Sequence, residues 1–481
     1  MKAKVSITLQ ILAIAIALIV PVAPVYSVES AHGASPENNY ETNRVINYSI
    51  TNPYENVDWA GFGQYKADLH VHSTNSDGAA LTSDMVEDHY AKGYSILAMT
   101  DHNYFTQSWD QVSLGPVDPG RMGEIQSGAG RGGRGMIGLD NASEQSSTDH
   151  INTFFDSSNS PAGETMADVF AKAEASGGIS HINHPGRYTG GSNGDDGSSI
   201  AAANDIVSIK KYQNLFTTYP SCAGMEIINK TDIDSKSDRV LWDNILKQTM
   251  PAGRPVWGFS NDDAHSTDMV GYSWNVMLMP ELTQAAVRTA MTTGAFYAVS
   301  RVSRLDGINR YYPGGTEETG LGSPSTLYLL EQPTPGISDI SVNGSVITIT
   351  GVDCDSIEWI ADGVVIYTGA SLDLGSHSEM IGSYVRARLK STTGIAFTQP
   401  FGVKEAPAAN DAPPPDGGSN PLPQDEGSNP PPPDEQGPQP ADPAGADNSR
   451  PLLASTVVVL IALIVAVIVL ILLSRRLRSF K

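Results

Sequence analysis

Asp68-Leu69-His70-Val71-His72, followed by Ser76-Asp77-Gly78, is the stretch on which the reading of this chain turns. It closes a short apolar run, residues 65–71, that has the pattern of a β-strand. Side chains two apart on a strand share a face, so both imidazoles reach one point in space. Outward from it the chain alternates strand and helix. A helix is expected over 83–92, with Thr82 or Ser83 as its cap, and strands over 94–100, 136–139 and 151–155. A helix over 164–176 and strands over 179–182, 224–228 and 256–260 follow, with a helix over 237–249 before the last. This rhythm predicts an α/β fold with mainly parallel strands, closed or nearly so.

The histidines and carboxylates fall where these strands end. After the first come Thr100-Asp101-His102, then Glu144 and Asp149-His150, then Asn183-His184-Pro185-Gly186-Arg187, and last Asn261-Asp262-Asp263-Ala264-His265. Strand ends far apart in sequence converge in α/β barrels, where active sites are built. The donors exceed what one ion needs, so two or three ions sharing carboxylates are expected. Mixed imidazole and carboxylate ligation suits Zn, Mn or Fe better than Mg or Ca.

These motifs, in this order over about residues 60–270, resemble those of the PHP (polymerase and histidinol phosphatase) family of metallohydrolases. The resemblance implies a distorted (β/α)7 barrel with three metal ions. Carried over by motif, it implies the ligands His70, His72, Asp77, His102, Glu144, His150, His184, Asp263 and His265. Asp140 is the alternative to Glu144. The run Gly224-Met225-Glu226-Ile227-Ile228-Asn229 and the secreted layout are similar to a branch with carbamate-hydrolase-like members. Asp101 is either a ligand or a partner that orients an imidazole. Glu226 and Asn229 are structural or catalytic. His89 and His181 read as packed core residues, His32 and His377 as surface residues, and Asp262 as a turn residue.

The remaining segments set the organisation. Residues 1–27 have the basic start, apolar stretch and small-residue end of a signal peptide, and 28–60 an arm leading into a catalytic domain over 61–325. Residues 110–135, Gly-rich with Arg121, Arg131 and Arg134, read as an excursion loop, either over the site mouth or at the surface. Residues 326–404 carry short alternating segments and turns such as Asn343-Gly344, the mark of a small antiparallel β-domain of sandwich type. Residues 405–451 hold too few apolar groups to offset their ordering entropy and read as a Pro-rich stalk. The apolar run 452–473 is long enough to span a bilayer, and the basic tail 474–481 favours the cytoplasmic side.

The formal net charge of −23 disfavours long polyanions such as nucleic acid, but not a small anion in a metal-rich pocket. Cys222 and Cys354 could pair or remain two solitary thiols. The expected function is therefore that of a membrane-anchored, extracytoplasmic metal-dependent hydrolase. Its substrate is expected to be a small phosphate mono- or diester, attacked by a hydroxide bridging the ions. Arg187 is the candidate for gripping a substrate oxygen, and His150 or His265, where not fully committed to metal, for protonating the leaving group. The alternatives are a carbamate, amide or ester hydrolase on the same site, and a non-catalytic surface-binding protein.

Overall fold

A computed structural model describes residues 48–147, 149–158, 163–189, 198–232, 235–308 and 332–406. The expected signal peptide, most of the arm, the stalk, the spanning helix and the basic tail lie outside these residues. Among the described residues no helix is long and apolar enough to cross a membrane.

In chain order the elements begin with β1 (Tyr48–Thr51), β2 (Gly63–Asp68), α1 (Thr82–Ala91), β3 (Ile96–Leu97), α2 (Pro119–Ser127), β4 (Ile137–Gly138) and β5 (Ser143–Ser146). Next are β6 (His150–Phe154), α3 (Met166–Ala175), β7 (Ile179–Ile182), α4 (Ser198–Ala203), α5 (Ile206–Thr218), β8 (Cys222–Asn229) and α6 (Lys236–Thr249). β9 (Trp257–Asn261), β10 (Ser273–Met279), α7 (Gln284–Thr293) and β11 (Phe296–Ser300) complete this part. Eight strands follow, β12 (Gly336–Asn343), β13 (Val346–Val352), β14 (Ser356–Ala361), β15 (Val364–Thr368), β16 (Ser371–Asp373), β17 (Tyr384–Ser391), β18 (Gly394–Phe397) and β19 (Phe401–Glu405).

The fold is mixed α/β, with its strands in three sheets rather than one closed barrel. The largest runs β1-β19-β17-β18-β11-β10-β2-β3-β4, with β14 and β15 branching from β17. A second runs β5-β6-β7-β8-β9, and a third β12-β13-β16. Pairing is parallel from β2 to β4 and from β7 to β9, but β5, β6 and β7 pair antiparallel. The expectation of mainly parallel, ring-closed strands is thus met only in part.

The physical reason lies at the seams. Between β9 and the strands on its side away from β8, namely β10 and the end of β2, asparagine amides stand in for a backbone ladder. Asn275 bonds both the N–H and the C=O of Ser260, at 3.0 and 2.8 Å, and the Asn261 side chain accepts from Leu69 N at 3.2 Å. Opposite, Asn152 Nδ2 donates to Leu69 O at 2.9 Å. Isolated bridges, Val71 with Ala264 and His102 with Glu144, complete the contact just beyond the strand ends.

Several local expectations shift. The cap of α1 is Leu81, with no side-chain cap bond; the Thr82 hydroxyl turns instead to Ser73 Oγ at 3.2 Å. The stretch 110–135 contains α2, begun by Asp118 accepting from Gly120 and Arg121 N–H groups and by Pro119 in its first turn. Arg121 pairs with Glu87 and Glu124, and Arg131 lies over the Tyr90 ring and bonds Tyr94 O, so both serve packing. Cys222 is buried in β8 and Cys354 half-buried, and both thiols are free.

The C-terminal strands share more with the first part than a linker. β18 pairs β11, and β19 pairs β1, so one sheet crosses from the first part into the second. Trp359, Val385, Ala387 and Leu389 belong to the same apolar core as Val71, Leu97 and Met99. Buried charge ties the two parts as well. Arg386 on β17 makes a two-pronged pair with Asp243 on α6, at 2.7 and 2.6 Å, and Tyr384 donates to the same carboxylate at 2.8 Å.

Removing one partner of a buried pair strands the other charge, at a cost of about 3–5 kcal/mol. Arg386→Met is therefore expected to lower the unfolding free energy by roughly that amount in urea titrations. A loss below about 1 kcal/mol would show that this pair does not join the two parts.

Candidate metal centre

The chain just beyond β2, β7 and β9 turns polar side chains toward one pocket, which β5 and β6 join with Glu144 and His150. β2 stops at Asp68, and beyond it His70 and His72 point the same way, their Nε2 atoms 3.1 Å apart. Two further contributors sit in left-handed backbone, His184 at φ 25° and Asp263 at φ 44°. Such a conformation costs a non-glycine residue on the order of 1–2 kcal/mol, and it is held here by surrounding bonds. The His184 N–H donates to Glu226 Oε2 at 2.9 Å.

Glu144 is the hub. It has no exposed surface, and its two oxygens lie within 3.5 Å of five imidazoles. These are His70 at 3.3 Å, His72 at 3.3 Å, His102 at 2.8 Å, His150 at 2.9 Å and His184 at 3.5 Å. Asp263 Oδ1 lies 3.2 Å from His72, 3.5 Å from His70 and 3.4 Å from His265. Asp77 stands 3.5 Å from His102 and 3.4 Å from His265. All nine residues proposed as ligands therefore meet in one cluster. Asp140, the alternative to Glu144, is exposed, and its peptide N–H bonds Gln284.

The cluster is graded from inside to outside. His70, His72, Glu144, His184 and Asp263 are buried, His102, His150 and His265 are a fifth to a quarter exposed, and Asp77 is 56 % exposed. The pocket therefore opens on the Asp77 side. Burial opposes charge on His70, yet Asp263, Glu144 and Glu226 together hold its pKa well above the ordinary imidazole value. Burial likewise opposes ionisation of Glu144, but His70, His102, His150 and His184 hold it well below the usual carboxylate range. His184 and His265 are shifted down by burial, which outweighs their carboxylate neighbours.

The arrangement fits metal ions. Glu144 Oε2, Asp263 Oδ1 and His184 Nδ1 are buried without a hydrogen bond, a costly state unless a further partner is present. For Glu144 Oε2 the 2.8 Å approach of His102 Nδ1 is an ion-pair distance without hydrogen-bond direction. Two imidazole nitrogens facing each other at 3.1 Å also suit a shared cation better than each other. Overlapping places are offered by His70, His72 and Asp263, by His72, Asp77, His102 and His265, and by His102, Glu144 and His150.

A second layer supports these donors. Glu226, open between structural and catalytic in the sequence, accepts from His70 Nδ1 at 2.8 Å, Asn261 Nδ2 at 2.8 Å and Asn229 Nδ2 at 2.9 Å. With the His70 proton drawn to Nδ1, the Nε2 lone pair faces the pocket. Asp101 accepts from Ser73 N, Ser73 Oγ and Ser76 Oγ at 2.6–2.8 Å, and so shapes the loop that carries Asp77. Asp262 is more than a turn residue: it is buried and accepts from Tyr94 and from the Gly271, Tyr272 and Ser273 N–H groups. His89 is buried, bonded to Asp68 and to Met85 O; His181 is buried against Phe259.

Arg187 ends the short turn after His184; burial pushes the pKa of the adjacent Tyr188 hydroxyl up, and the Arg187 charge opposes that shift. The Tyr188 ring lies 5.1 Å from that of His150 and 5.6 Å from that of His184. Tyr188, Asn183 and Lys230 belong to the site but carry no motif signal beyond their place beside a ligand or strand end.

No protein-family model matches the chain. Over 51 residues it is 43 % identical to the DNA polymerase/3'-5' exonuclease PolX of Bacillus subtilis (strain 168), 11 % of this chain and 9 % of that protein. The chain thus spans less than a tenth of that curated relative's length. Structural neighbours include PHP-like metal-dependent phosphoesterases. One is a two-domain protein from Bacteroides vulgatus containing a predicted PHP-like metal-dependent phosphoesterase, 16 % identical, TM-score 0.37, covering 73 % of this chain and 89 % of its own. Another, from Bifidobacterium adolescentis, is described as a putative metal-dependent phosphoesterase, 14 % identical, TM-score 0.28, covering 41 % and 87 %.

Loss of an outer partner of a ligating imidazole typically lowers metal affinity about 10- to 100-fold. Glu226→Gln is expected to do so here, measured by competition with a chromophoric chelator. Unchanged affinity would show that the His70 tautomer does not depend on Glu226.

Proposed function

We propose that the chain is a metal-dependent phosphoesterase acting on small phosphate mono- or diesters. The observation that carries this reading is the buried Glu144 carboxylate set among five imidazoles, with Asp263 and Asp77 completing overlapping cation sites. His70, His72, Asp77, His102, Glu144, His150, His184, Asp263 and His265 would hold two or three divalent ions. Such ions, when bound, supply Lewis-acid charge and lower the pKa of a water toward neutrality.

The chain's own residues do the rest. The Asp77 side of the pocket admits substrate, and the buried side excludes bulk water from the reacting group. Arg187 offers a guanidinium to a substrate oxygen, with Tyr188 packed beside His150 and His184 as the wall behind it. His265 directs Nδ1 to Asp263 O at 2.8 Å, which leaves Nε2 facing the Asp77 side. Whichever of that atom and His150 is not bound to an ion is placed to move a proton at the leaving group. The apolar run 452–473 and the basic residues after it support a membrane-tethered, extracytoplasmic placement. The acidic composition supports a small phosphorylated substrate over a long nucleic acid.

Elemental analysis of the purified chain, beside assays on p-nitrophenyl phosphate esters, tests the reading. Two or three equivalents of Zn, Mn or Fe with metal-dependent release of p-nitrophenol are expected. Replacing His70 and His72 together should remove both the metal and the turnover. Bound metal without phosphatase activity would favour carbamate or ester hydrolysis, and a folded chain unable to take up metal would point to a surface-binding protein.

A further inference from the structure

Lys230 follows β8 directly and reaches into the pocket, its Nζ 3.1 Å from Asp263 Oδ2 and its side chain 26 % exposed. The sequence motifs assign it no role. Its placement is built. Lys230 stands at φ 53° and Asp232 at φ 59°, both left-handed, conformations in which a side chain costs on the order of 1–2 kcal/mol. The Lys230 N–H donates to Asn261 O at 3.0 Å, and its carbonyl accepts from Ser273 Oγ at 2.9 Å. Asp232 is clamped by the Arg239 guanidinium at 2.9 and 2.6 Å, by Ser235 Oγ at 2.7 Å and by the Arg304 N–H at 2.6 Å. A strained turn is thus pinned by buried charge, and it delivers an ammonium to the pocket.

An ammonium beside a ligand carboxylate works against a cation on that carboxylate. Asp263 Oδ1 faces His72, whereas Oδ2 faces Lys230 and, at 3.9 Å, His184. Asp263 would hold an ion through its carboxylate, and Lys230, beside that carboxylate, stands close to any anion drawn to the ion. An anion arriving there offsets that repulsion. A phosphate diester has two non-bridging oxygens, which a pair of ions held by the ligand set would suffice to neutralise. A phosphate monoester has a third, with a further negative charge.

We propose that Lys230 binds this third oxygen and selects phosphate monoesters over diesters. The proposal rests on the phosphoesterase reading above and narrows its substrate class. On arrival of the monoester, the ammonium exchanges its contact with Asp263 for one with the phosphoryl oxygen, a charge-assisted bond.

The test compares the metal-loaded full chain with Lys230→Met and Lys230→Arg, using p-nitrophenyl phosphate, bis-p-nitrophenyl phosphate and inorganic phosphate as probes. Lys230→Met is expected to keep its metal content. It should lose roughly 10- to 100-fold in kcat/KM on the monoester, the scale of one hydrogen bond to a charged group, with a much smaller loss on the diester. Its Kd for inorganic phosphate, from calorimetry, should weaken by a similar factor, and Lys230→Arg should restore part of both. Equal losses on the two esters, or unchanged phosphate affinity with metal retained, would overturn the role of Lys230. If the parent chain hydrolyses neither ester, the phosphoesterase reading fails by itself. Calorimetry then still decides Lys230, since phosphate binding needs no turnover. If Lys230→Met loses its metal, Lys230→Gln decides: retained metal with weakened phosphate affinity supports the proposal, and retained metal with parental affinity opposes it.

Discussion

A carboxylate with no exposed surface must find partners or give up its charge. Glu144 meets that constraint by drawing five imidazoles from four separate stretches of chain to within 3.5 Å. Much of the molecule serves this convergence. The strands bring their ends together, the loops after them accept left-handed backbone at His184, Lys230 and Asp263, and the donors point inward. Strain gathered at these positions, and held by surrounding bonds, is what pre-organised sites are built from.

Around this hub lies a layer of neutral amides and buried carboxylates. Asn183 Nδ2 bridges Glu144 and Asn152 at 2.7 and 2.8 Å, and Asn261 joins Glu226 to Leu69. The same amides fill the seam where the sheets fail to close. Side-chain bonds there do two tasks, satisfying backbone groups and fixing the ligands. A ring closed by backbone pairing alone would leave less room for residues that orient imidazoles.

The supporting layer extends into the C-terminal strands. Asp238 on α6 accepts from the Gly186 N–H in the turn that carries His184 and Arg187. Arg239 next to it bonds Asp232 and pairs with Asp306 at 2.9 Å, and Arg388 on β17 pairs with that same Asp306. One connected set of buried charges thus runs from β17 to the turn that presents Lys230. With the shared sheet through β11 and β18, it makes described residues 332–406 part of the scaffold of the site.

The chain's local chemistry determined much of this by itself. Alternating runs and glycine stops placed α1, α3, α6, β7 and β9 within a few residues, because local periodicity reports which face an element buries. Histidine and carboxylate clusters at strand ends marked His70, His72, His102, His184 and His265, because metal chemistry needs donors of that kind. Other features had no local signal. β5 is Ser-Glu-Gln-Ser, buried without an apolar residue, so hydropathy cannot find it, although it carries Glu144. The antiparallel turn of β5 to β7, the amide-filled seam and the sheet shared through β11 and β18 depend on pairings between distant strands. Which of its two readings Glu226 takes, and the place of Lys230 beside the site, were decided only when folding set a carboxylate against His70 and an ammonium against Asp263. Periodicity is a property of neighbours along the chain, whereas partnership between buried charges is a property of tertiary distance.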